Sequence, residues 1–258
     1  MKKILCLFSA LSMVLISSCS SDDSTDVASE TLLPKKIVET TVENGKSGSL
    51  DFTFTYDGNK LKQISLSDAS KFVYTYTGEV ITKVEEFKSS ELQSTDVYTY
   101  EAGKLVSKLT TSAFSSTPPQ KLTFVYNANG TVNANYSEII NRQEVKYDTT
   151  RLYTFANGNI ISTEFIDAVR EKSTSTFDDK KNPFTNITGA KLLLDLDDNF
   201  DFYSANNTVK NVTVETDASG KVIGTVTVTN TNKYNANNFA TEIFSGDAKN
   251  SFKLEIAY

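Results

Sequence analysis

One recurring unit constrains the fold more than any other feature of the chain. In this unit two aromatic residues flank a threonine (a valine in the copy at Phe124), a turn with Gly or Asn follows, and a second short strand returns. Five regular copies begin at Phe54, Tyr74, Tyr98, Phe124 and Tyr153. A drifted copy covers 176–184, and a weaker echo covers 212–222. Repetition at this short period indicates one supersecondary unit used many times.

Each unit has the pattern of a β-hairpin. Strict alternation places both rings on one face of a strand and the threonine on the other. Asp57-Gly58, Asn129-Gly130 and Asn157-Gly158 are pairs that reach positive φ at low cost, as tight hairpin turns require. Helical periodicity is hard to find beyond the first residues. The sequence therefore predicts an all-β fold, an antiparallel meander of successive hairpins that forms one curved sheet or an open, barrel-like roll.

The hairpin units resemble a known group of sequences. They are similar to the degenerate YD (RHS-like) repeats of Bacteroidetes-type lipoproteins, and the segments 177–184 and 234–239 share that resemblance. The likeness covers most of residues 34–258. In that group the fold is better defined than any activity, so the resemblance implies a single all-β repeat domain and leaves its function open.

The N-terminus has the pattern of an export signal. Lys2 and Lys3 precede an apolar run of 13 residues, 4–16. A bilayer needs roughly 20 apolar residues, so this run is too short to span one. The segment Ile16-Ser17-Ser18-Cys19 resembles the lipobox of bacterial lipoproteins. The resemblance implies a cleaved signal peptide over 1–18 and a lipid on Cys19, through which the chain is anchored to a membrane.

The next segment, 19–33, is predicted to be a flexible acidic tether. Its second residue is Ser20 rather than Asp, so the usual inner-membrane retention signal is missing and an outer-membrane destination is favoured. The acidic run 20–26 resembles the surface-export signal of Bacteroidetes-type lipoproteins. We therefore expect a lipid-anchored outer-membrane protein exposed at the cell surface, with the periplasmic face as the alternative.

Composition excludes several function classes. Without the signal peptide the chain has 24 basic and 32 acidic residues, a net charge of −8 that repels nucleic acid. There is no histidine, which removes Ser-His-Asp and Cys-His nucleophile systems and ordinary zinc or iron sites. Cys6 leaves with the signal peptide and Cys19 is the lipid site, so no disulfide is expected. We predict no cofactor and no enzymatic activity.

Carboxylates are the remaining candidates for chemistry, because two Asp or Glu residues suffice for glycoside hydrolysis. Glu85 with Glu86 and Asp178 with Asp179 are possible pairs, but neighbours on a strand point to opposite faces. The cluster 195–201 places oxygen ligands at alternate positions, as calcium loops do. It lacks the glycine and the closing Glu of an EF-hand, so an exposed acidic loop is favoured over a calcium site.

Two structural alternatives stay open. The aromatic rows could form a sugar-binding platform, although filling the interior of the sheet is the favoured role. The alternating C-terminal residues also resemble the last strand of an outer-membrane barrel; they are Phe252, Leu254, Ile256 and Tyr258. The faces opposite the rings carry Thr, Ser, Lys and Glu, which disfavours a membrane barrel. A binding surface is expected in the irregular part, 178–211.

Three function classes therefore remain. The favoured one is a tethered binding or interaction module for a glycan, a peptide or a partner lipoprotein. The alternative is a structural envelope protein without a small ligand. A hydrolase that uses only carboxylates is the least favoured class.

Overall fold

The computed structural model describes residues 31–114, 116–167, 169–194 and 200–258. Residues 31–258 form one compact unit. The predicted signal peptide, the lipid site Cys19 and all but the last residues of the predicted tether lie outside the described residues. The same is true of 195–199, which make up most of the acidic cluster 195–201.

The described residues form sixteen strands and one 3-10 helix. The strands are β1 (Lys36–Glu43), β2 (Lys46–Asp57), β3 (Lys60–Leu66), β4 (Ser70–Thr77), β5 (Val80–Lys88), β6 (Glu91–Glu101), β7 (Lys104–Ser112), β8 (Gln120–Tyr126), β9 (Val132–Ile140), β10 (Gln143–Ala156), β11 (Asn159–Ile166), β12 (Arg170–Lys181), β13 (Asn206–Thr216), β14 (Val222–Tyr234), β15 (Ala240–Gly246) and β16 (Ser251–Ala257). The helix covers Ala190–Leu192, between β12 and β13.

Every strand pairs antiparallel with its neighbours in the chain, and the first pairs with the last. The closing ladder runs from Lys36 opposite Ala257 to Val42 opposite Ser251. The predicted all-β meander of hairpins is confirmed, and its barrel-like form is fully closed. Because residues 36–257 complete the ring, the barrel needs no strand from outside this range.

The two ends of the barrel differ. The turns that follow even-numbered strands lie at one end, together with residues 31–35 and Tyr258. We call it the plugged end, because the segment between β12 and β13 contacts the turns there. The turns that follow odd-numbered strands lie at the other, the open end. The Asn157-Gly158 turn is as predicted, with φ of 52° and 77°. The turn predicted at Asp57-Gly58 is shifted by one residue, because Asp57 ends β2 and Gly58 and Asn59 form the turn.

The aromatic rows point into the barrel. Phe52 and Phe54 are buried, whereas Thr53 and Thr55 between and beside them face outward. The same alternation holds on β8, where Leu122 and Phe124 are buried and Val125 is 45% exposed. The hydrophobic core therefore lies in the lumen, and the favoured reading of the rings as interior residues is confirmed.

The second aromatic of the unit locks neighbouring hairpins together. A register shift precedes this residue at Tyr56, Tyr76 and Tyr100, and a bulge of this kind strengthens the local twist of a strand. The Tyr100 hydroxyl donates to the carbonyl oxygen of Ile81 at 2.8 Å. The Tyr126 hydroxyl donates to that of Leu105 at 3.0 Å. The repeat thus specifies the contact between hairpins as well as each hairpin.

The connection between β12 and β13 fills the lumen. Its described residues, 182–194 and 200–205, are called the plug here. The plug buries a set of apolar side chains against strands around the barrel; they are Phe184, Ile187, Ala190, Leu193, Leu194, Phe200 and Phe202. Barrels of about sixteen strands are too wide for wall side chains alone to fill. The irregular part, 178–211, in which the sequence predicts a binding surface, thus lies inside the barrel at these residues, where its apolar side chains complete the core.

Candidate ligand-binding site in the barrel lumen

The plug is held at the plugged end by the hairpin turns. The Thr188 amide donates to the carbonyl oxygen of Asn59 at 2.9 Å, and the Tyr76 hydroxyl donates to that of Thr188 at 3.1 Å. Gly189 has a φ of 77°, and a Cβ atom there would lie 2.8 Å from the carbonyl oxygen of Glu79. Only glycine suits this close approach of two backbones. The plug is therefore fitted to the turns that surround it.

Side-chain caps set the direction of the plug's last turn. The Asn182 side-chain amide donates to the carbonyl oxygen of Asp201 at 3.1 Å. The Asp201 carboxylate accepts the amides of Tyr203 at 3.1 Å and Ser204 at 2.9 Å. Phe200 and Phe202 line one lumenal pocket, against β2 to β6, whereas Asp201 lines a second one, against β10 to β13. This alternation divides the space above the plug into two parts.

The first pocket has a volume of about 230 Å³. The Phe200 and Phe202 rings form its floor, and three aromatic side chains from β2 and β4 line its apolar wall: Phe52, Phe72 and Tyr74. Glu86 on β5 and Asp96 on β6 line the opposite wall. We call it the aromatic–acidic pocket. Apolar surface with a few convergent polar groups is typical of small-molecule sites.

Both carboxylates of this pocket are held by neighbours. The Ser94 hydroxyl donates to Glu86 at 3.0 Å, and the Thr110 hydroxyl donates to Asp96 at 2.6 Å. The Lys108 ammonium lies 3.5 Å from the other Asp96 oxygen, with only 11% of its side chain exposed. Asp96 is thus neutralised by a buried cation. Glu86 has a hydroxyl partner instead, so it retains acceptor capacity toward the pocket.

The second pocket, of about 550 Å³, lies against β10 to β13, and polar residues outnumber apolar ones in its lining. The Arg151 guanidinium lies 5.8 Å from the centroids of both the Tyr136 and the Phe165 ring, which pack edge to face on each other. Glu171, opposite Phe165 in the ladder, contributes a carboxylate to the same pocket. A guanidinium that contacts aromatic rings, in a pocket that also holds an acid, suits planar polar groups. We call this the polar pocket.

A third polar cluster, at the foot of the plug, is structural. Asp178 accepts hydrogen bonds from the Tyr234 hydroxyl and from the backbone amide of Asn207, the latter at 3.2 Å. Burial first, and then this bond to Asp178, raises the pKa of Tyr234 to about 12. The Asn207 side chain also donates to the carbonyl oxygen of Lys181 at 3.2 Å. The cluster ties the end of β12 to β13 and β14.

The outer face of the barrel carries ion pairs on several strands. Four representative pairs lie on separate parts of the wall: Lys36–Asp51 at 2.7 Å, Lys83–Glu85 at 2.8 Å, Lys121–Glu144 at 2.8 Å and Lys233–Glu242 at 2.8 Å. A lysine that faces lipid at the bilayer midplane costs roughly 2–4 kcal/mol. Ion pairs on the outer face are the arrangement expected of a barrel wall that faces water.

The carboxylate pairs considered from the sequence do not converge. Glu85 lies on the outer face with Lys83, and Glu86 lies in the lumen. Asp178 is hydrogen-bonded inside, whereas Asp179 is exposed and lies 3.2 Å from Lys180. The prediction from strand alternation is confirmed for both pairs.

The proposed calcium loop is described only at Phe200 and Asp201. The Asp201 carboxylate caps backbone amides, as given above. Among the described residues no group of three or more acidic, His or Cys side chains is placed to hold a metal ion.

The C-terminal strand does not have the orientation of a lipid-facing strand. Leu254 and Ile256 are buried in the lumenal core, and Phe252 packs against that core. The Tyr258 hydroxyl donates to the carbonyl oxygen of Ala240 at 2.7 Å. The alternating apolar residues noted in the sequence therefore fill the interior of the barrel, and this role explains the alternation that resembles a membrane strand.

Sequence reasoning missed most of the aromatic–acidic pocket, although a signal for it exists. Asp96 lies two residues before Tyr98, which places its carboxylate on the ring side of β6. Lys108 likewise points inward on β7, opposite Tyr98 in the ladder. When a charged residue lies an even number of positions from an inward-facing ring on the same regular strand, it indicates a polar group inside the barrel. Only the register shows that Asp96 lies beside Val84, next to Glu86.

Comparisons with known proteins support the fold. No family model matches the chain, and no curated protein matches it. A solved structure of a porin-like protein from Bacteroides uniformis is similar, with a TM-score of 0.52 and 11% sequence identity. The match covers 87% of this chain and 97% of that one. Within the described residues, no helix has the length and apolar character to cross a membrane. The chain is thus similar in fold to a porin-like β-barrel.

Proposed function

We propose that this protein is a lipid-anchored envelope protein whose barrel binds a small polar ligand in the lumen, above the plug. The observation that carries the proposal is the aromatic–acidic pocket, where Glu86 faces a group of aromatic rings. The plug supplies the floor of that pocket, so a segment that fills the barrel also shapes a site. A purely structural barrel has no need of inward carboxylates, because each one costs desolvation.

The chemistry of the pocket favours the end of a glycan. Aromatic rings stack on the apolar faces of sugar rings, and carboxylates accept hydrogen bonds from sugar hydroxyls. The volume of about 230 Å³ is below the roughly 300–1,000 Å³ of sites for drug-sized ligands. It would therefore hold about one sugar ring. The polar pocket, against β10 to β13, offers Arg151 and Glu171 to a second polar group.

In this proposal the pocket binds its ligand without a chemical reaction. Both carboxylate oxygens of Asp96 already have partners, Lys108 and Thr110, so this side chain is not free to act on a bound ligand. Hydrolysis of a glycoside needs one carboxyl group that is protonated before the reaction. The chain also has no histidine to supply a general acid.

The membrane association that we propose runs through a lipid on Cys19, not through the barrel wall. The lipobox-like segment and Ser20 favour an outer-membrane anchor, and the ion pairs of the outer face favour a barrel in water. In cells, Cys19→Ser should move the protein from the membrane fraction to the soluble fraction. Retention of this variant in membranes after carbonate extraction would instead indicate a barrel embedded in lipid.

The binding proposal is tested with a glycan array followed by calorimetry. Glu86→Gln removes the lumenal charge, and Glu85→Gln is the matched control because its side chain is on the outer face of the same strand. A hydrogen bond to a charged group contributes about 1.5–3 kcal/mol, so Glu86→Gln should weaken binding at least about tenfold. Glu85→Gln should bind as the unmodified chain does. A blank array, or equal affinity of the two variants, would contradict the proposal and favour a structural role.

A further inference from the structure

The hairpin of β13 and β14 leaves one edge of β14 without a partner. β14 pairs with β13 from Val222 to Thr229, but its ladder with β15 begins only at Asn230. Among the described strands none pairs with the other edge of β14 over 222–229. In an antiparallel ladder every second residue of such an edge directs its N–H and C=O groups outward. This free edge is about eight residues long, roughly 26 Å at the rise of a strand.

The free edge is apolar, uncharged and exposed. Four of its side chains are large hydrophobics with high exposure: Val222 54%, Ile223 55%, Val226 59% and Val228 41%. No charged residue occurs between Lys221 and Lys233. Soluble proteins usually protect such an edge with lysine, proline or a bulge. Here the one bulge, at Ile223, is near the turn and leaves the span from Gly224 to Thr229 regular.

Space for a further strand exists beside this edge. A notch of about 600 Å³ lies among residues 227–229 of β14, the shorter hairpin of β15 and β16, and residues 41–43 of β1. Gly246 and Asn250, at the end of that hairpin, line the notch together with Glu43 and Phe252. A strand added to β14 would thus enter an open notch in which a glycine and a turn lie beside two larger side chains.

The sequence of the edge is complementary to itself. Residues 225–229 read Thr-Val-Thr-Val-Thr in both directions. When two copies pair antiparallel about a two-fold axis normal to the sheet, residues of equal parity face each other. Val226 and Val228 then meet valine or glycine on one face, and the threonines meet threonine on the other. Such pairs are favourable, and in an isologous interface every contact occurs twice.

We propose that a second copy of this chain docks on β14, so that two barrels share a continuous sheet through their β14 edges. The absence of charge on this edge favours a second copy as the partner. Each chain without its signal peptide has a net charge of −8, so two copies can approach each other closely only where both surfaces are uncharged. A single pair of short strands is a small interface, so the dimer is weak and is populated at high protein concentration. The inference does not depend on ligand binding in the lumen.

The test is sedimentation equilibrium of the mature chain, residues 19–258, with Cys19→Ser to prevent lipidation. We expect a reversible monomer–dimer equilibrium that tightens as salt is raised, because salt screens the repulsion between two acidic barrels. Val226→Lys places a charge at the centre of the edge and should shift the equilibrium to monomer. Val125→Lys is the matched control, a valine of β8 that is 45% exposed and pairs with Asn133 of β9 away from the β14 edge, and it should dimerise normally.

Circular dichroism and the thermal midpoint establish that both variants keep the fold. If Val226→Lys loses the fold, Thr227→Lys on the other face of the same edge replaces it. A mature chain that sediments as a monomer at every concentration would overturn the proposal. A dimer that Val226→Lys and Val125→Lys leave equally intact would also overturn it, because the contact would then lie elsewhere.

Discussion

Removal of one plug ring tests whether the plug is part of the core. Phe184 is 4% exposed, and its ring centroid lies 4.8 Å from that of Phe202, 5.1 Å from that of Phe200 and 6.1 Å from that of Phe54. Truncation of a buried Phe to Ala costs about 3–5 kcal/mol, from lost transfer free energy and the cavity left behind. The well-packed rings around Phe184 leave little room to collapse, so the upper half of that range applies.

The assay is urea unfolding of Phe184→Ala, with the thermal midpoint as a second measure. For a domain of this size 1 kcal/mol lowers the midpoint by about 2–4 °C, so a loss of about 4–5 kcal/mol should lower it by about 8–20 °C. Phe114→Ala is the control, because Phe114 is 59% exposed at the open end and its loss should change stability by less than about 0.5 kcal/mol. Equal, small effects of the two substitutions would refute the account of the plug as core.

Two further predictions concern the contacts that hold the barrel together. Gly189→Ala should destabilise the chain more than Gly58→Ala. Both glycines have positive φ, which is about 1–2 kcal/mol unfavourable for alanine. Of the two, only Gly189 would also place its new Cβ against a backbone oxygen, that of Glu79. Equal losses of unfolding free energy in the two variants would contradict this contact. The chain should also lose stability as pH rises from about 10 toward 12. Burial is the main cause that raises the pKa of Tyr76 from its ordinary value of 10 to about 12, and it raises the pKa of Tyr126 as well. A group whose pKa is raised by folding contributes its full stabilisation of the folded state below its unfolded pKa, and this contribution is lost as the pH rises to the folded pKa. Phenolate absorbance of these tyrosines that rises near pH 10 without unfolding would contradict this prediction.

The local part of the fold could be predicted from the sequence. The aromatic-Thr-aromatic units predict the hairpins because alternation and turn residues act over a few positions only. The pairing of β1 with β16 could not be predicted, since it joins residues 36–42 to 251–257 and no local pattern marks two strands as partners. The inward direction of the rings was predicted, but whether the sheet closes depends on the sum of twist and bulges over sixteen strands.

The plug and the site above it could be predicted only in part. The lapse of the repeat near residue 182 marks an irregular segment, yet only the width of the lumen explains why Phe184 and Phe202 turn inward. For Glu86, strand alternation correctly separates it from Glu85. Its lumenal neighbours Ser94 and Asp96 belong to the next strand, and the register between β5 and β6 contains a shift that the sequence does not show. The site therefore follows from register, not from a local motif.

The central claim, that the plug forms the floor of a lumenal binding site, is tested most directly with a fluorescent probe placed on that floor. The chain contains no tryptophan, so Phe202→Trp introduces a single reporter beside the aromatic–acidic pocket, and Phe114→Trp is its exposed control. The account predicts blue-shifted emission and weak acrylamide quenching for Phe202→Trp, with a further change when a ligand from the array is added. Phe114→Trp should show red-shifted emission, strong quenching and no response to the ligand. Emission and quenching that are the same in both variants would contradict the claim.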